Sequence, residues 1–290
     1  SRAQAIRNTV GLAPGIFIPE QRFIALPGFP DEIRGMWQET LDKISSLGLQ
    51  RSATRIIPVW GVGESQLFTG LEVPEGVSVG VHALPWGCRL FLRDAGAGES
   101  ILNAAAEAVG ARYPAQVSED PLREVIEYCS ANSLTLSLAE SCTGGLAAKQ
   151  VTDVAGVSAI FKGGAVTYAN EAKQNLLQVH ANLIEEFGAV SAECARAMAA
   201  GAAQLFDAKL SLAFTGIAGP DGGSAAKPVG TVFIALHDAR SAETRVGKFM
   251  FPFGRDRFRA ATVACGFLAL RQYLMAAEKK PWPLAEFNAG

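Results

Sequence analysis

The alternation of apolar and polar positions divides this chain into short strands and amphipathic helices. Residues 22–26 read as a strand, Pro27, Gly28 and Pro30 as a turn, and 31–44 as an amphipathic helix with Pro30 near its first turn. That strand-turn-helix resembles a piece of an α/β sheet and is too short to bury a core of its own. Residues 55–60, 77–81 and 88–92 read as strands, 63–68 as a short helix and 99–109 as a longer one. Residues 113–121 form a polar, proline-bearing linker that feeds a capped helix from Pro121. From Leu122 to about residue 277 helix and strand alternate, ending in long helices, which predicts an α/β region with one three-layer core. Its strands are expected at 134–138, 164–167, 210–214 and 232–236.

Composition narrows the functional classes. The 290 residues suffice for more than one domain, and 26 Lys and Arg against 28 Asp and Glu leave a formal net charge of −2 with no basic run. Nucleic acid is therefore not expected as the main partner. No apolar stretch approaches the length of a membrane span, and there is no signal-peptide pattern. The five cysteines, Cys88, Cys129, Cys142, Cys194 and Cys265, lack metal-ligand spacing. Free thiols of this kind point to a reducing, cytoplasmic compartment.

The candidate chemistry lies where the strand at 134–138 runs into Ala139-Glu-Ser-Cys-Thr-Gly-Gly145 and an Ala-rich helical stretch. Such a junction presents Ser141 at the carboxyl end of a buried strand, where open α/β sheets place ligands. Thr143, Gly144 and Gly145 can then offer backbone N–H groups to a negative charge. The same residues would also serve as a simple helix cap. Cys142, at a helix N-terminus, is an alternative nucleophile to Ser141.

A serine nucleophile needs a base, and His82, His180 and His237 sit in no motif. Tyr168-Ala-Asn-Glu-Ala-Lys173 supplies another route, a lysine kept neutral by partial burial and relayed through the Tyr168 hydroxyl. Taken singly, Tyr168 also fits a core aromatic and Lys173 a solvated helix residue. A second glycine-rich loop, Thr215-Gly-Ile-Ala-Gly-Pro-Asp-Gly-Gly-Ser224, follows the strand at 210–214 and would let a ligand approach its backbone closely.

Together with Gly188-Ala-Val-Ser191 and Lys227-Pro-Val-Gly-Thr231, these blocks closely resemble the CinA C-terminal family, in order, over roughly 122–277. The resemblance implies a nicotinamide mononucleotide deamidase of pyridine-nucleotide salvage. It implies Ser141 as nucleophile on the carboxamide carbon, with Tyr168 and Lys173 relaying its proton. It also implies oxyanion donors in the turn from Cys142 through Thr143 and Gly144 to Gly145. Glu140 and Asn170 would brace the turn and the relay. Thr215, Gly216 and Gly219 would line the nucleotide site, and Arg255 would meet the substrate's 5′-phosphate. Arg255 lies in Phe251-Pro-Phe-Gly-Arg-Asp256, one residue out of step with the family's segment, and a surface arginine remains the alternative. No cofactor and no metal are expected for the amidase reaction, and a homo-oligomer is expected. A nucleotide-binding regulatory module without turnover is the alternative reading.

Upstream, Asn8-Thr-Val-Gly-Leu-Ala-Pro-Gly15 and Leu26-Pro-Gly-Phe-Pro30 resemble the end of the molybdopterin-binding-like domain of CinA proteins, which acts as a metal-dependent ADP-ribose pyrophosphatase. Most of that domain is not in this sequence, whose first residue is Ser1, so pyrophosphatase chemistry is not expected of these residues. Whether the chain is a fragment or a natural truncation stays open. Residues 51–115 resemble the family's small KH-type module. There Gly61-Val-Gly-Glu64 is not a Gly-X-X-Gly clamp, and Glu64 sets a negative charge where a phosphate contact would be needed. The expected fold is therefore α/β: a three-layer amidase domain at 119–280, a KH-like α+β module at 51–115 and a remnant of an α/β domain at 1–48.

Overall fold

The computed structural model describes residues 3–48, 52–114 and 116–275. Residues 276–280 of the expected last domain, and the few outermost positions of the other two, lie outside them. The chain divides into two compact units, one ending at Ala53 and one beginning at Thr54. The first unit is a three-stranded antiparallel meander, β1 (Gln4–Ile6), β2 (Gly15–Ile18) and β3 (Phe23–Ala25), followed by helix α1 (Pro30–Ser46). Ile6, Phe17 and Met36 are fully or almost fully buried between sheet and helix, so this segment has a small core of its own, contrary to expectation.

The second unit opens with an antiparallel sheet in the order β4 (Thr54–Trp60), β6 (Gly87–Asp94), β5 (Val77–Leu84). Helices α2 (Glu64–Phe68) and α3 (Glu99–Arg112) complete this module. The expected linker is not free. Val117 pairs with Val59, and the Trp60 indole N–H donates to the Ser118 carbonyl at 2.7 Å. Buried Ser118 is hydrogen-bonded in turn to Glu124 of α4 (Pro121–Ala131). Asp120 caps α4 by accepting from the Arg123 N–H at 3.1 Å.

Five strands form the sheet that carries the candidate site. Along the chain these are β7 (Leu136–Glu140), helix α5 (Leu146–Thr152), β8 (Phe161–Val166), helices α6 (Asn170–Leu177), α7 (Ala181–Phe187) and α8 (Ala192–Leu205), β9 (Leu210–Gly216), β10 (Thr231–Asp238), β11 (Glu243–Met250) and helix α9 (Arg255–Met275). Their spatial order is β11-β10-β9-β7-β8; β8, β7 and β9 run parallel, and β10 and β11 antiparallel. The three parallel strands are joined through helices, as parallel pairing requires, whereas β9, β10 and β11 are joined by loops.

Every residue of β7 is buried, as befits a strand covered on both faces. Leu136 and Leu138 join Leu212, Phe214, Ile234 and the α9 side chains Phe258 and Phe267 in one core layer. The opposite face is built from small residues, Ala139, Ala213 and Ala235 against Ala195, Ala199 and Ala202 of α8, which lets that helix pack close to the sheet. Gly201 sits so near α6 that a Cβ there would lie 2.0 Å from the Leu177 carbonyl oxygen. Helices thus cover both faces, giving the three expected layers.

The predicted strands are present, β7 beginning at Leu136 and β8 at Phe161. Strand β11 was not anticipated, and it leaves one long terminal helix where several were expected. Its Arg245 and Lys248 are typical of a sheet edge, where charge replaces the alternation that marks a half-buried strand.

Candidate active site

The chain leaves β7 toward α5 on one face of the sheet and leaves β8 toward α6 on the other. The carboxyl ends of these neighbouring parallel strands therefore flank a crevice of the kind in which α/β sheets bind ligands. Ser141 follows β7, and Tyr168 and Lys173 follow β8.

Glu140, the last residue of β7, is wholly buried and accepts from the N–H groups of Gly145 (3.0 Å), Ala147 (3.1 Å) and Ala148 (2.8 Å). It satisfies donors that the first turn of α5 would otherwise leave unpaired, and its negative charge complements the helix N-terminus. The intervening turn bends through left-handed conformations at Gly144 (φ 60°) and Gly145 (φ 90°), which glycine adopts without steric penalty. Gly144 N–H donates to the Ser141 carbonyl at 3.2 Å. Two of the four expected oxyanion donors, Gly144 and Gly145, are thus engaged within the turn. The N–H groups of Cys142 and Thr143 bond to no main-chain carbonyl among the described residues.

Ser141 is 9% exposed. The Lys173 side chain, 1% exposed, places Nζ 3.3 Å from Ser141 Oγ, 2.9 Å from the Thr167 carbonyl oxygen and 3.1 Å from the Tyr168 carbonyl oxygen. Burial lowers the Lys173 pKa below that of a free lysine, outweighing the opposing influence of Cys194, Cys142, Glu171 and Tyr168. A neutral amine in this position can donate its two hydrogens to the two carbonyls and turn its lone pair toward the Ser141 hydroxyl. Lys173 is accordingly not a solvated helix residue.

Tyr168 is 61% exposed, so it is not a core aromatic. Its hydroxyl accepts from Arg255 Nη2 at 3.0 Å, and Arg255 Nη1 donates to the Gly219 carbonyl at 3.0 Å. The expected relay through Tyr168 is thus corrected: the lysine reaches Ser141 directly, while the phenol belongs to a bridge across the mouth of the site. Arg255, at the start of α9, ties Tyr168 to the second glycine-rich loop.

Thr215 is buried and donates to the Ala189 carbonyl at 2.7 Å, anchoring the segment before α8. Gly216 leaves no room for a side chain, since a Cβ there would lie 2.8 Å from the Thr231 carbonyl oxygen. Asn170 opens α6 exposed and bonds to none of Ser141, Tyr168 and Lys173, so the expected brace is not formed.

Cys142 is buried in the leucine-rich core layer, and burial pushes its thiol up to about 12. The thiol stays protonated at neutral pH and faces away from Lys173's partners, which leaves Ser141 as the residue set for nucleophilic chemistry. Among the described residues no group of three or more His, Cys, Asp or Glu side chains is arranged to hold a metal, and no helix is long and apolar enough to cross a membrane.

Sequence reasoning missed Arg259. Its Nε and Nη2 donate to the Thr143 carbonyl at 2.8 and 2.5 Å, and Nη2 also reaches the Gly144 carbonyl at 3.4 Å. The available signal was its i, i+4 spacing from Arg255, which sets both on one face of α9. Lys227, within a quoted motif but given no role, donates to the Phe187 carbonyl at 2.8 Å.

Fold and site together define an α/β protein with a buried serine–lysine pair at a strand-to-helix turn. The family model described as the CinA C-terminal domain matches residues 119–274, and the chain belongs to the CinA family. A CinA-like protein of Citrifermentans bemidjiense is 40% identical over 290 residues, spanning 95% of this chain and 69% of the relative. One from Geobacter sulfurreducens is 39% identical over 301 residues, spanning 96% and 71%. Among solved structures, a competence/damage-inducible protein from Agrobacterium tumefaciens is 42% identical over 52% of this chain and 94% of its own, with a TM-score of 0.51. The corresponding protein from Klebsiella pneumoniae is 33% identical over 55% and 97%, with a TM-score of 0.52.

Proposed function

We propose that this chain hydrolyses the carboxamide of nicotinamide mononucleotide to nicotinate mononucleotide and ammonia, without a cofactor, through an acyl-enzyme on Ser141. The observation that carries the reading is the 3.3 Å approach of the buried, pKa-lowered Lys173 amine to Ser141 Oγ. The choice of this substrate rests on family resemblance.

Ser141 Oγ attacks the carboxamide carbon as its proton passes to Lys173 Nζ. The carbonyl oxygen becomes an oxyanion, held by the N–H groups of Cys142 and Thr143. Collapse breaks the C–N bond, Lys173 returns the proton to the departing nitrogen, and ammonia leaves. Water then attacks the acyl ester, giving one proton to Lys173; the C–Oγ bond breaks as Lys173 passes that proton to Ser141 Oγ, and the acid leaves as carboxylate with its remaining proton lost to solvent. Tyr168 and Arg255 stand at the mouth, where Arg255 exchanges its protein partners for the 5′-phosphate.

The test is ammonia release from nicotinamide mononucleotide by the purified chain with a chelator present. Turnover supports the proposal. Tight binding without turnover would instead identify a nucleotide-binding regulatory module.

A further inference from the structure

We infer that Arg259 is a positioning residue for the oxyanion site, acting through two hydrogen-bonded peptide groups rather than by touching substrate. The inference rests on the serine-hydrolase reading above and extends it to a residue on a different element of the fold.

The Arg259 guanidinium donates twice to the Thr143 carbonyl and once to that of Gly144. The Thr143 carbonyl shares its peptide group with the Gly144 N–H, which donates to the Ser141 carbonyl at 3.2 Å. The Ser141 carbonyl in turn shares its peptide group with the Cys142 N–H, which bonds to no main-chain carbonyl among the described residues. A positive charge at the far end of this chain polarises each peptide in sequence. Every link strengthens the next donor, as in other hydrogen-bond chains of low local dielectric. In the proposed reaction the last donor serves the oxyanion.

Arg259 also fixes geometry. Glu140 holds the Gly145 N–H and Arg259 the Gly144 carbonyl, so peptide 144–145 is gripped from both sides, while peptide 143–144 is held by Arg259 at its carbonyl and by the Ser141 carbonyl at its N–H. Both grips are needed because Gly144 and Gly145 have no side chains to restrict their dihedrals. Gly144 also gives the guanidinium its room, since a Cβ there would lie 3.2 Å from Arg259 Nη2. A lysine could hold one carbonyl as a point charge but could not reproduce the forked geometry.

The experiment compares wild type, Arg259→Lys and Arg259→Gln in two assays: amide turnover, and the rate at which a fluorophosphonate labels Ser141. In labelling, the Ser141 Oγ–P bond forms, the P–F bond breaks, fluoride leaves and the serine proton passes to Lys173. Removing a direct oxyanion donor costs about 100- to 1,000-fold in kcat, so an indirect one should cost roughly 10- to 100-fold. KM should stay within about threefold, and the pH of the ascending limb should not move, because Arg259 does not touch Lys173. Methylguanidinium should restore activity to Arg259→Gln while sodium chloride at equal ionic strength does not. Should the glutamine variant fail to fold, Arg259→Lys carries the test through the same split between kcat and KM. Wild-type kcat in the variants, or a loss confined to KM, overturns the inference. If wild type labels without hydrolysing the amide, the substrate assignment fails and the labelling rates still decide the role of Arg259. No labelling and no turnover in wild type overturns both.

Discussion

Ser141 and Cys142 are adjacent in the chain and face opposite sides of the sheet: Ser141 meets Lys173 of α6, while Cys142 joins the core layer that includes Phe214 and Phe258. One peptide step therefore separates a hydroxyl beside an amine whose pKa burial lowers from a thiol whose pKa burial raises. Ser141→Ala should reduce turnover by several orders of magnitude while leaving substrate affinity nearly unchanged, measured as kcat alongside equilibrium binding. Iodoacetamide at neutral pH should leave the wild type active. All five thiols are buried, with Cys88, Cys129 and Cys194 pushed up to about 11 and Cys265 higher still. Rapid loss of activity with alkylation at Cys142 would reverse the assignment.

Glu140 gives a stability prediction. Glu140→Gln keeps the shape but replaces one acceptor oxygen with an NH2 group facing backbone donors that already lack another partner. Breaking a buried charge-assisted network of this kind costs about 2–4 kcal/mol. Calorimetry should show Tm falling by about 5–15 °C. An unchanged Tm would mean that the turn does not depend on this carboxylate.

Buried Lys173 should leave a signature in stability as well as in rate. Its folded pKa lies below 10.5, so the unfolded chain binds the proton more readily, and between the two values stability rises with pH. Lys173→Met removes this linkage. The difference in unfolding free energy between wild type and variant, from urea titrations between pH 7 and 10, should shift toward wild type as pH increases. A constant difference would show that Lys173 is charged in the folded protein.

Much of the fold was legible because β7, β9 and β10 carry dense apolar runs, and α1 and α4 have clear starting signals in Pro30, Asp120 and Pro121. Strand β11 was hidden by the charges that suit it to an edge, and the antiparallel meander at the N-terminus by the shortness of its strands. Motif and spacing brought Ser141, Lys173 and Tyr168 forward as site residues, and the family resemblance added Arg255. They could not show that Lys173 bypasses the Tyr168 hydroxyl, or that Gly145 N–H is consumed by Glu140. Those facts depend on side-chain direction across strands. Arg259 escaped notice for the same reason, since it acts across more than a hundred residues of sequence.

The pH–rate profile of Lys173→Arg tests the central claim most directly. Arginine keeps the positive charge and much of the length, but its guanidinium does not deprotonate at working pH. If neutral Lys173 takes the Ser141 proton, wild-type kcat/KM rises with pH through the lowered lysine pKa. The arginine variant should then lose that ascending limb and at least about a hundredfold in rate, as removal of a general base does. An arginine variant that keeps substantial activity near neutral pH, with the ascending limb intact, would contradict the account.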